Sequence, residues 1–359
     1  MDAHGLTRRQ LLGRGGVVVA GAGGLAAAGA AGYAWPRAAT APASAGPAPA
    51  STAAPADTAG VLHFVSRPDL YPPAVTIAHS RRQATPPAAD PPYIFVAATG
   101  YPRTGPGEPG LMILTRGGRL VWYSPNTGLP PGTGPGRFDF TVQSYRGQAV
   151  LTWWEGRMTN GYGSGQAVIA DSSYRTVAIV KAGHGLQADL HEFVITPQDT
   201  ALITAYRPVP ADLSKLGGPA NGVALSGTVQ EVDIASGRVL FEWSSLDHVP
   251  VTDTYVPFYG GTTAHPFDYL HINSIAIAAD GDLLVSGRNT SAAYKVARPS
   301  GQVTWRLGGK QSSFHMADGA PFWWQLRGRA EAGRLAGTHQ LRDGDHGEHL
   351  GPLLRRDRA

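Results

Sequence analysis

No cysteine occurs anywhere in the 359 residues. That absence excludes disulfide staples, thiolate metal sites, a cysteine nucleophile and a lipid-modified cysteine as membrane anchor. Charge is also scarce, at 16% of residues, and the net +4 sits at the two ends of the chain. Residues 1–60 carry four Arg against two Asp, residues 326–359 seven Arg against five acids, and residues 61–325 nineteen charges of each sign. A neutral body excludes nucleic acid as a partner held on a basic face. Long amphipathic helical stretches are missing as well. Turn and strand formers are plentiful instead, with 47 Gly, 29 Pro, 13 Tyr and 8 Trp. That mixture predicts an all-β fold with frequent tight connections.

The N-terminus reads as an address. Thr7-Arg8-Arg9-Gln10-Leu11-Leu12 precedes a mildly apolar, Gly- and Ala-rich run from Val17 to Ala34. A twin arginine before such a run is the pattern of a Tat export signal, so residues 1–35 are expected to be a signal peptide helix. The expected location is extracellular or in the cell envelope. An uncleaved anchor tethering the protein to a membrane is the alternative. Residues 36–60, almost entirely Ala, Pro, Ser and Thr, are a linker.

The body, residues 61–325, repeats. Asp189-Leu190-His191 leads to an apolar strand at Ala201–Ala205, another at Gly227–Val232, a turn at Ser236-Gly237 and a third strand ending in Phe241-Glu242-Trp243. The later copy runs from Leu270-His271 through Asp280-Gly281, Leu283–Ser286, Ala293–Val296, Ser300-Gly301 and Val303-Thr304-Trp305. Weaker copies lie at Leu111–Leu114 with Leu120–Trp122, and at Gln148–Trp153 with Ala167–Ala170. Short strands joined by Asp-Gly or Ser-Gly turns are hairpin units. A repeated unit that cannot cover its own apolar faces predicts a β-propeller of about four blades here, with a β-sandwich as the competing architecture. On the propeller reading, His191 and His271 hold equivalent positions just before the innermost strands, at a shared channel.

Around the second histidine the sequence is specific: Phe267-Asp268-Tyr269-Leu270-His271-Ile272-Asn273-Ser274-Ile275, then Ser286-Gly287-Arg288-Asn289, then Thr304-Trp305-Arg306-Leu307-Gly308-Gly309. These elements resemble the bacterial arylsulfotransferases that work without PAPS, over about residues 186–325 and more loosely from residue 62. Arg67-Pro68-Asp69-Leu70 and Leu151–Gly156 are similar to actinobacterial-type members. The resemblance implies a six-bladed propeller, transfer of a sulfuryl group from a phenolic sulfate ester to a phenol through a sulfohistidine, and no cofactor. Carried over by motif, His191 and His271 are supporting histidines, Asn273 an amide donor and Arg288 the guanidinium that holds the sulfuryl oxygens. Those residue types suit the chemistry, because sulfuryl transfer to and from phenolates needs dense donors around three oxygens. Structural roles stay open: Arg288 paired with Asp268, and Asn273 holding a turn.

The family pattern then breaks. Where its nucleophilic histidine follows a Trp-Gln pair, this chain reads Phe322-Trp323-Trp324-Gln325-Leu326. From Leu326 to Ala359 there is no Val, Ile, Phe, Tyr or Trp, so residues 326–359 are expected to be a disordered tail left by a frameshift or a natural shortening. The expectation is a sulfuryl-binding protein without transferase turnover; a non-catalytic exported binding propeller is the alternative. His339, His346 and His349 in the tail are read as solvated, and no metal is expected. Three further motifs fail. Gly161–Gln166 does not meet G-x-S-x-G, Gly308-Gly309-Lys310-Gln311 lacks the hydroxyl residue of a P-loop, and a quinoprotein-type propeller would need a carboxylate cluster that is not found.

Overall fold

In a computed structural model of the chain, the described residues are 67–76, 93–98, 107–126 and 136–315, with the backbone of 17–18, 329–331 and 334–336. The linker, nearly all of the signal segment and the run containing Gln325 and Leu326 lie outside the described residues. The described part is all-β, built from open antiparallel sheets.

Four meanders follow one another along the chain. The first is β2 (Tyr93–Ala98), β3 (Gly110–Thr115) and β4 (Leu120–Pro125), with the two-residue β1 (Val17–Val18) parallel to β2. The second is β5 (Gly136–Tyr145), β6 (Gln148–Thr159), β7 (Tyr162–Ala170) and β8 (Thr176–Val180). The third is β9 (Ala188–Ile195), β10 (Thr200–Ala211), β11 (Gly222–Asp233) and β12 (Val239–Ser244). The fourth is β13 (Ile272–Ile277), β14 (Leu283–Gly287), β15 (Ala292–Val296) and β16 (Val303–Gly308). Each strand pairs with the next in its meander, and the Gly165–Ala188 pair joins the second and third into one sheet. The first strands adjoin in succession, β2 by β5, β5 by β9 and β9 by β13.

Alternation along the strands explains how the meanders stack. In β6, Leu151 and Trp153 face the first meander, packing with its Phe95 and Ile113 and with Phe140 of β5. Val150 and Trp154 face the third, against Phe193, Ile195 and Ile203. In β10, Leu202 turns the other way, to meet Val285 and Tyr294 of the fourth meander. A strand with both faces buried is largely apolar, and Leu202 and Ala201 are fully covered. The repeat also locks across meanders: Trp243 of β12 donates its indole N–H to Gly301 O, 3.1 Å away in the turn of the fourth meander. Gly301 and its counterpart Gly237 take φ of 74° and 72°, the left-handed region such turns require.

One expectation needs correction. His191 is not ahead of its strand but inside β9, whereas His271 directly precedes β13. Ala188 pairs with Ala205 and Phe193 with Ile203, so residues 189–192 bulge off the ladder and the two histidines do not share a register position. Val17–Val18 lie extended beside Ile94 and Phe95, and the rest of the expected signal helix lies outside the described residues. Within the expected disordered tail, the backbone of β17 (Arg329–Glu331) and β18 (Arg334–Ala336) pairs as a short hairpin.

Candidate functional site

His191 and His271 meet. Their ring centroids lie 4.9 Å apart at 84°, one edge against the other face. Each ring is braced at Nδ1 by a carboxylate from its own segment: Asp189 Oδ2 at 2.6 Å from His191 and Asp268 Oδ2 at 2.5 Å from His271. The motif assigns Asp189 no role and Asp268 only the pairing with Arg288, although each aspartate stands just upstream of its histidine, two and three residues away. The Asp268 carboxylate meets His271 through Oδ2, a partner the motif does not single out.

Local strand geometry positions these groups. The bulge of β9 carries Asp189 and His191 out of the ladder, and a second bulge in β13 falls between Ile272 and Ser274, at Asn273. Bulges re-aim side chains that a regular strand would send to a sheet face. His271 itself has φ of 57°, an unusual backbone conformation for a histidine. It is held there by the returning loop, where Arg288 N donates to His271 O at 3.0 Å and Asn289 N to Leu270 O at 2.9 Å. The Asn289 side chain ties the same loop down, donating to Asp268 O at 2.7 Å and accepting from Arg288 Nε at 3.2 Å.

Asp189 is the most heavily bonded carboxylate. Oδ1 accepts from Gly163 N at 2.5 Å, and Oδ2 accepts from His191 N at 3.0 Å, His191 Nδ1 and Thr204 Oγ1 at 3.2 Å. Burial alone would raise its pKa, but the charge and hydrogen bonds of His191 and the Gly163 N–H hold it below the usual carboxylate range. Gly163 has no Cβ for a reason, because one would sit 2.7 Å from Leu190 N and from the Trp154 ring.

His271 is buried, and burial pushes its pKa below the ordinary value; Asp268 counters this in part, while Arg288 and His191 add to it. Its Nε2 is buried with no hydrogen-bond partner among the described residues. The Arg288 charge also opposes, in small part, the raised pKa values of Tyr206 and Tyr259, so its field reaches the same cluster. Three tyrosines missed in the sequence surround the site. Tyr206 packs on His271 at 6.0 Å and donates to Ile272 O at 2.7 Å, and Tyr162 packs on Tyr206 at 5.3 Å. Tyr259 has its pKa pushed up to about 12, by burial first and then by the Asp268 charge. Their only sequence signal was aromatic content, which strand cores share. Asn273 is buried, two residues beyond His271.

Among the described residues, no group of three or more His, Cys, Asp or Glu side chains could hold a metal ion. No helix among them is long and apolar enough to cross a membrane.

Fold and cluster together define a repeated-meander β protein with a largely buried imidazole–carboxylate cluster where two meanders meet, beside a partly buried arginine. The chain belongs to the arylsulfotransferase (ASST) family, whose model matches residues 141–332 and so runs past Gln325. No curated protein matches the chain. Among solved structures it is similar to a protein of unknown function from Bacteroides caccae, with 17% identity and a TM-score of 0.31. The match covers 59% of this chain and 59% of that one.

Proposed function

We propose that the His191–His271 cluster is a sulfuryl-binding site for aryl sulfates, set in the channel of a β-propeller of the actinobacterial type. Four stacked meanders with adjoining first strands support the propeller, for which the family resemblance implies six blades. The observation that carries the site is the buried, unpartnered Nε2 of His271, in a cluster that also feels the Arg288 charge. Protonated imidazoles and a guanidinium are strong donors to oxyanions. Asn273 supplies an amide donor from the β13 bulge. A phenol is the acceptor class, and no cofactor takes part.

Leu326 occupies the motif position of the nucleophile, so the site binds aryl sulfates without transferring the group between phenols. The family match past Gln325 is neutral on this point, because it is the histidine and not the surrounding pattern that the transfer needs. On the twin-arginine motif, the protein works outside the cytoplasm, in the envelope or beyond.

Equilibrium binding of phenyl sulfate to the full chain and to His271→Ala tests the site. Losing one charge-assisted hydrogen bond, about 1.5–3 kcal/mol, weakens binding by roughly 10- to 100-fold. Unchanged affinity would instead mark a binding module whose ligand sits elsewhere. Ping-pong turnover of an aryl sulfate with a phenol would overturn the inactive assignment.

A further inference from the structure

We propose that Asp268, with Asp189 as its counterpart, is a positioning residue that makes anion capture conditional on a proton: the empty site holds His271 neutral, and an oxyanion of the sulfate class enters with one proton on His271 Nε2. The inference rests on the sulfuryl-site reading and adds to it how the donors are charged.

A carboxylate only accepts hydrogen bonds. With Asp268 Oδ2 at 2.5 Å from Nδ1, the neutral His271 ring carries its proton at Nδ1, and Nε2 presents a lone pair. That lone pair is buried and has no donor among the described residues. Facing a sulfuryl oxygen, it would be repulsive. The ring becomes a donor to the anion only by taking a proton from solvent at Nε2, while the Nδ1–H bond to Asp268 stays intact. The resulting imidazolium lies between two anions, the Asp268 carboxylate and the bound oxyanion, which stabilise it jointly.

The groups around His271 decide the proton count. Asp268 comes from its own segment, Arg288 from the loop after β14, and His191 with Asp189 from β9. Tyr162, Tyr206 and Tyr259 come from β7, β10 and the segment before β13, and all three have raised pKa values, so they carry no charge near neutrality. Burial, the Arg288 charge and any charge on His191 oppose the proton in the empty site. The arriving anion offsets them. Asp189 orients the second ring in the same manner, by taking both its backbone N–H and its Nδ1–H.

The test is calorimetric titration of phenyl sulfate and of inorganic sulfate into the full chain, near neutral pH, in buffers of different ionisation enthalpy. The expected result is uptake of about one proton per anion, with affinity falling about tenfold per pH unit on the alkaline side. In Asp268→Asn the imidazolium loses its counter-charge, so proton uptake falls toward zero and affinity drops at least tenfold; Asp268→Glu restores the uptake. A purely structural role would weaken binding but leave uptake unchanged. Nitrogen-15 NMR of the wild-type histidines gives a reading that needs no variant: a proton at Nδ1 alone in the free protein, and a second at Nε2 with sulfate. Binding without proton uptake and with a flat pH profile overturns this inference alone. Failure of both anions to bind at any pH overturns the sulfuryl-site reading, and this inference with it.

Discussion

Replacing Asp189 with alanine strips one acceptor from four donors. Two of them, Gly163 N–H and the Thr204 hydroxyl, lie in the buried interior, while the His191 groups border the site, where the side chain keeps 8% exposure and water can substitute. A buried donor left without a partner costs about 1–3 kcal/mol. Two of them, plus the weakened His191 contacts, give a loss of about 3–5 kcal/mol, in line with breaking a buried charge pair. With a urea slope of about 2–3 kcal/mol per molar, the unfolding midpoint moves down by about 1–2 M. Asp189→Asn keeps an acceptor for Gly163 and lets His191 move its proton to Nε2, so it costs less, about 1–2 kcal/mol. The sign of the pH effect follows from the depressed Asp189 pKa. The stability it contributes is fully present above about pH 4 and is lost as pH falls through the folded-state value. The Ala deficit therefore shrinks in acid. Urea unfolding followed by tryptophan fluorescence at several pH values measures all of this. A deficit under about 1 kcal/mol near neutral pH, or one that does not shrink toward pH 3, refutes the reasoning.

Trp154→Ala removes a buried indole from between the second and third meanders, along with its hydrogen bond to Ala188 O at 2.8 Å. Thermal unfolding should show a loss of about 3–5 kcal/mol. Gly163→Ala forces a Cβ against Leu190 N and the Trp154 ring, at a cost of about 1–3 kcal/mol, and sulfate affinity measured by calorimetry should fall with it as the Gly163–Asp189 bond shifts. Because the folded-state pKa of His271 is depressed, the unfolded chain binds protons first as pH drops through about 6.5, so stability declines below that pH. Comparing Tm at pH 7.5 and 5.5 for wild type and His271→Gln shows it: the variant should lose less. Arg288→Lys keeps the charge but loses the planar fork, and sulfate binding should weaken about tenfold at unchanged Tm.

The repeats were legible because turn chemistry and strand composition recur together: Ser236-Gly237 and Ser300-Gly301 do mark matching turns, each followed by a strand bearing a tryptophan, Trp243 and Trp305. The histidine pair was legible through the His271–Asn273 motif, and the rings do meet. The aspartates were not, because pairing across two or three residues depends on backbone direction. A regular strand would send Asp189 and His191 to one face at full pleat spacing, whereas the bulge folds one onto the other at 2.6 Å. The equivalence of the two histidines failed for the same reason. Composition counts residues but not the positions where a ladder skips, and both site segments sit at such skips. Tyr206 escaped notice because, until its strand partners are known, a tyrosine in an apolar strand reads as core.

The bulge in β9 has a consequence for how this site can vary. Ala188–Ala205 and Phe193–Ile203 are fixed pairs on either side of it, and the four residues between them hold no register position in the β9–β10 ladder. A change at His191 therefore leaves the register of the rest of β9 as it is, whereas Asp189 stays fixed by Gly163 N and the Thr204 hydroxyl. The sheet supplies the frame, Asp189 and Leu190 fasten the bulge to it, and His191 is the position where the anion chemistry can change while the stacked faces stay as they are.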